Sequence, residues 1–67
     1  MRFWIECTRF ETGQAIHINI ALVGSLWRDG ERTVLAFVGG DGDGERVEVV
    51  ETPERIMDLH LGPMAKA

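Results

Sequence analysis

Few side chains in this 67-residue chain are of a type that does chemistry, and they are spread out. The most suggestive run is Asp41-Gly42-Asp43-Gly44-Glu45, which offers carboxylate oxygens at alternate positions, as the start of an EF-hand calcium loop does. That motif needs glycine at its sixth position and a bidentate glutamate at its twelfth. Here those positions hold Arg46 and Thr52, and no helical pattern precedes the run. The run reads as a solvated hairpin loop.

His17 and His60 are the histidines and Cys7 the lone thiol. Tetrahedral zinc needs three or four nitrogen or sulfur ligands, and the spacing of these three matches no short zinc motif. Nucleophilic catalysis needs a nucleophile, a base and an orienting group converging in a cleft. Ser25 and the two histidines could be named for such roles, but nothing in the sequence brings them together. The glycines from Gly39 to Gly44 make no phosphate cradle, because no Lys-Ser/Thr completes the motif, no helix opens after it, and Asp41 and Asp43 would repel phosphate. A chain this short also has little volume to spare for a pocket of ~300 Å3 or more. No catalytic, cofactor-binding or metal-ligating residue is expected, and the chain is not expected to be an enzyme.

Charge narrows the partners. The formal net charge is −4, and the seven cations (Arg2, Arg9, Arg28, Arg32, Arg46, Arg55 and Lys66) form no stripe in the sequence. That balance disfavours nucleic-acid phosphates and anionic lipid surfaces as partners. No apolar run approaches the length needed to span a bilayer, and Glu6 and Arg9 interrupt the start too early for a signal peptide. A single cysteine excludes an internal disulfide and fits a reducing, cytoplasmic compartment. A single domain of this size buries only roughly 60% of its unfolded surface, so a monomer is marginal. With no disulfide and no convincing metal site, self-association is the aid that remains.

The elements that position these residues follow from periodicity. Strands are expected at about 2–10, 14–20, 24–28, 33–38 and 46–50, a helix at about 53–61, and a tail at 62–67. Residues 2–10 alternate, with Phe3, Ile5 and Cys7 facing one way and Trp4, Glu6 and Thr8 the other. After a turn at Glu11-Thr12-Gly13, Ile16, Ile18 and Ile20 alternate with Ala15, His17 and Asn19, which makes a β-hairpin. Residues 21–28 allow two readings: Asn19 caps a short turn over 20–23 before a strand, or the strand is continuous. Asp29-Gly30 is a hairpin turn. Thr33-Val34-Leu35-Ala36-Phe37-Val38 is apolar on both faces, as a central strand covered on both sides is. Thr52 is a good N-cap, Pro53 fits the first helical position, Glu54 suits the positive end of the helix, and Gly62-Pro63 stops it. The expected class is mainly β (α+β): a four- or five-stranded antiparallel meander with one short C-terminal helix.

Two features exceed what such a fold needs. Ile56, Met57, Leu59, His60 and Leu61 span about 200° of the helix circumference, wider than a lone surface helix requires. Part of that stripe is free for another contact. Trp4 alternates away from Phe3 and Ile5, so it is either an exposed contact residue or is covered by the domain's own helix or loops. Trp27 leaves the same choice between core and contact. His17 falls on the polar face of its strand, where a solvated ring is the simplest reading. Cys7 reads as a small core residue. The interface candidates are therefore Trp4, Ile56, Met57, Leu59, His60 and Leu61.

The series Ile5-Glu6-Cys7-Thr8-Arg9-Phe10, Ile18-Asn19, Leu22-Val23, Leu26, Thr33-Val34-Leu35-Ala36-Phe37, a glycine turn, Val47-Glu48-Val49-Val50-Glu51-Thr52-Pro53-Glu54, Ile56 and Leu59 resembles the small bacterial flagellar and swarming-motility proteins of the FlbD type. The chain departs from that pattern in its expanded Gly39–Gly44 turn, in Trp4 and Trp27, and in Ile20 after Asn19. The resemblance implies a small accessory or regulatory protein that acts by protein contact, and it carries over no catalytic residue. The expected function is a non-enzymatic protein-interaction module, bacterial or phage-borne, linked through the resemblance to motility. Its expected partners are a second copy of itself, most simply as a dimer, and another protein. The alternative is a small nucleic-acid-binding regulator, against which the acidic balance and the lack of an aromatic-and-basic strand pattern both count.

Overall fold

A computed structural model describes residues 3–38 and 45–62. The expectations about Asp41, Asp43, the Gly39–Gly44 loop and residues 63–67 lie outside the described residues. The chain runs β1 (Trp4–Thr8), β2 (Ala15–Asn19), a 3-10 turn (Ile20–Leu22), β3 (Val23–Asp29), β4 (Arg32–Phe37), β5 (Arg46–Val49) and α1 (Pro53–Leu61). It is mainly β, with five antiparallel strands and one C-terminal helix. The strands divide into a two-stranded sheet, β1-β2, and a three-stranded sheet, β3-β4-β5.

Local sequence explains each junction. Gly13 and Gly30 take positive φ at the two hairpin turns, where an L side chain would be strained. Between the sheets, the Asn19 Oδ1 accepts the Ala21 N–H at 3.0 Å, so the turn reading of residues 20–23 holds and the continuous strand does not. Thr52 caps α1 by accepting the Arg55 N–H at 3.2 Å, Pro53 stands at the helix start, and Gly62 closes the helix at φ +78°.

The first strand ends at Thr8 rather than Phe10 because the chain changes partners there. Arg9 still donates its N–H to Gln14 of the hairpin, but Phe10 donates to Glu48 and Val50 donates to Thr8. The isolated Arg9↔Val49 bridge is thus where the two sheets meet.

Register sorts the side chains into layers. Leu26, Leu35 and Val47 lie opposite one another, as do Arg28, Thr33 and Val49. This inward face joins Ile5, Cys7, Ile18 and Ile20 from the first half of the chain, and α1 packs against β1 and β3 to add Ile56. Leu35, Val49, Cys7 and Ile56 are fully buried. On the outward face Val34 is also buried, beneath Trp27 of the neighbouring strand, so β4 is covered on both sides as its composition requires. Phe3 departs from its alternation. It precedes the first paired residue of β1, is 54% exposed, and meets the His60 ring with centroids 6.4 Å apart.

Candidate functional site

Of the six interface candidates, one is misplaced by helical spacing alone. Ile56 is fully buried in the core and presents nothing to a partner. A helix on a small sheet puts its central apolar position inward, and Leu59 and His60, three and four residues on, share that side and are half-buried. Met57 and Leu61, themselves four apart, form the exposed side, 42% and 39% accessible. The surplus stripe is therefore real but narrower than five residues.

Among the described residues Trp4 is the most exposed of the large apolar side chains, at 63%. It lies on the outward face of the β1-β2 hairpin, directly opposite Asn19, with Glu6 opposite His17 in the next row and Thr8 opposite Ala15 in the last. Trp4 borders two hollows. One, of about 290 Å3, lies between the hairpin and the helix and is lined by Trp4, Ile5, Glu6, His17 and Leu59. The other, of about 590 Å3, runs along the whole of β2, where Trp4 and Leu22 stand at the margin with the half-buried Phe37 and Val47. Met57 and Leu61 line neither hollow.

Among the described residues β2 is paired on one side only, and its other edge lies along the second hollow. Arg9 donates to Gln14 and Ile20 donates to Phe3 across the hairpin. In an antiparallel ladder hydrogen-bonded and non-hydrogen-bonded pairs alternate, so Cys7↔Ile16 and Ile5↔Ile18 are the bonded pairs between those ends. The backbone N–H and C=O groups of Ala15 and His17 and the N–H of Asn19 consequently point away from β1 into the open groove, while the Asn19 carbonyl is taken by the 3-10 turn that Asn19 caps. Sequence reasoning missed this edge. The hairpin itself was readable, but which of its sides would remain unpaired depends on the 3-10 turn that swings β3 away.

A third hollow, of about 490 Å3, lies on the outward side of the larger sheet and is lined by Arg9, Glu11, Trp27, Asp29, Val34, Arg46, Val47 and Glu48. Arg46 sits over the Trp27 ring at 5.6 Å and Arg32 over the Phe10 ring at 5.8 Å. Cations scattered in the sequence are thus gathered with aromatic rings, contrary to the expectation of no aromatic-and-basic pattern. The strand register does this, since Arg46 and Trp27 flank β4 on its outward face. The gathering is offset by carboxylates: Arg32 is paired with Glu48 at 3.4 Å and Asp29 at 3.5 Å, and Glu11 lines the same hollow.

The remaining candidates for chemistry stay apart. Cys7 is buried, and its thiol is pushed up to about 11, first by burial and then by the nearby Glu51 and Glu6 carboxylates. His17 is exposed on the outward face of β2, and Ser25 is exposed on β3, opposite Ala36. Among the described residues no three His, Cys, Asp or Glu side chains are placed to share a metal ion. No helix among them is long and apolar enough to cross a membrane. No known family, curated protein or solved structure matches the chain.

Proposed function

We propose that the chain is a small non-enzymatic protein-interaction module that acts in the cytoplasm and associates with itself. The observation that carries the proposal is Trp4, a large side chain left 63% exposed at the junction of two hollows. Tryptophan offers much contact area for little conformational entropy and is enriched among the residues that dominate interface energy. Phe3, Leu22, Val38, Met57 and Leu61 are further exposed apolar groups. The resemblance to FlbD-type proteins adds bacterial motility as the setting. Melting curves test the proposal: the melting temperature of the wild type rises with protein concentration, because folding and assembly are linked by mass action. The rise shrinks in Trp4→Ser. A melting temperature independent of concentration in both proteins contradicts self-association.

A second reading, contact with a nucleic acid, has the Arg46–Trp27 and Arg32–Phe10 stacks in its favour. Glu11, Asp29 and Glu48 in the same hollow weigh against it, since phosphate binding draws its strength from uncompensated cations.

A further inference from the structure

We infer that two copies of the chain join edge to edge through β2, antiparallel, with the two-fold axis at His17. The inference rests on the self-associating reading above and specifies its geometry. Ala15 and His17 direct their backbone groups outward and Asn19 its N–H, so the pairs across a two-fold axis would be His17 with the second copy's His17, exchanging two bonds, and Ala15 with the second copy's Asn19, through the Asn19 N–H. Such a pairing is isologous: one edge serves both copies.

The side chains already in place suit that register. On the outward face, the Trp4-Asn19 row of one copy continues into the Ala15-Thr8 row of the other. Asn19 stands between Trp4 and the second copy's Ala15 in that row, so Trp4 flanks the new seam from one strand back, and does so twice. The central row becomes Glu6, His17, His17, Glu6, with each imidazole next to a carboxylate and no two carboxylates adjacent. On the inward face, Ile16 lies beside the second copy's Ile18, and the added strand shields Ile16, Phe37 and Val47, which are only half-buried in one chain.

The edge is also unguarded. Exposed edges are commonly blunted by lysine, proline, an inward charge or a bulge, and Ala15–Asn19 carries none of these. Of the other outer strands, β3 is irregular between Val23 and Ser25, ends in Arg28 and Asp29, and has α1 packed against it, while β1 and β5 meet at the Arg9↔Val49 seam. Glu6 on β1 and Arg46 and Glu48 on β5 carry charge, so β2 is the outer strand without Asp, Glu, Lys or Arg.

Cross-linking the full-length chain distinguishes the geometry from the broader claim. His17→Cys places two thiols across the axis at a Cα separation of about 5.5 Å, within the range a disulfide spans. Cys7 lies on the opposite, buried face and does not compete. Mild oxidation is expected to convert His17→Cys to covalent dimer, and a mixture of Ala15→Cys with Asn19→Cys to heterodimer, while Ser25→Cys remains monomeric. Failure of both cross-links in a protein that still sediments as a dimer overturns the edge pairing and leaves self-association standing. Cross-linking through Ser25→Cys moves the contact to β3. A monomer at every concentration overturns both.

Discussion

Glu51 holds Thr8 with both carboxylate oxygens, one accepting the backbone N–H at 2.8 Å and the other the hydroxyl at 2.9 Å, across 43 residues of chain. The Val50 N–H already donates to the Thr8 carbonyl. The Glu51 side chain thus takes the place of a further strand residue and ends the seam between the two sheets immediately before the Thr52 cap of α1. Bonds to an ionised acceptor are the strong ones, and removing the acceptor leaves the Thr8 amide without its partner. Glu51→Ala is expected to destabilise the fold by about 2 kcal/mol, and Glu51→Ala with Thr8→Val by less than the sum of the two singles. Urea denaturation measures both. Additive effects would show that the Thr8 hydroxyl bond contributes nothing.

Burial raises the Cys7 thiol from 9.0 to about 11. The folded chain therefore holds the Cys7 proton more tightly than the unfolded chain does. By linkage, stability is unaffected by this group below about pH 9 and falls as pH rises from there through about 11, by about 3 kcal/mol in all. Cys7→Ala should lack that alkaline loss. Denaturation midpoints across the alkaline range, compared between the two proteins, check the sign and the window, and equal slopes would refute it.

Gly24 sits where the β3–β4 register shifts, and a Cβ built there would overlap the Val38 Cγ1. The β-branched Val38 side chain has little rotameric freedom with which to move aside. Gly24→Ala should cost on the order of 1–2 kcal/mol, and Val38→Ala in the same chain should recover most of it. Thermal melts of the single and double variants decide the matter, and no recovery would place the strain in the backbone instead.

Binding to duplex DNA or single-stranded RNA is expected to be absent at about 150 mM salt, where only a surface that releases many counterions binds well. Arg32 is committed to Asp29 and Glu48, which leaves Arg9 and Arg46 to face any phosphate in the Trp27 hollow. A mobility-shift assay giving submicromolar binding with a steep salt slope would reverse the order of the two functional readings.

What the sequence made legible was local. Gly13, Gly30, Thr52, Pro53 and Gly62 mark turns and helix ends through their own backbone chemistry, so those boundaries were readable to within a residue or two. The alternation of Ile5 and Cys7 with Trp4 and Glu6 identified the buried face of β1 but left Trp4 open between contact and cover, and only the fold leaves it exposed. Long-range pairing was not legible. Nothing near Arg9 or Phe10 announces that the chain leaves one strand there for another from residues 48–50, and nothing near Ala15 shows that its strand edge stays open. The helix stripe was overread for the same reason, because Ile56 and Met57 look alike in sequence and only the packing against β1 and β3 separates them.

Sedimentation equilibrium of the wild-type chain over a hundredfold range of concentration tests the central claim most directly. Self-association predicts that the apparent mass climbs from the 7.5 kDa of one chain toward twice that value, and that Trp4→Ala shifts the climb to higher concentration by the equivalent of about 2 kcal/mol. A single 7.5 kDa species at every concentration would contradict it.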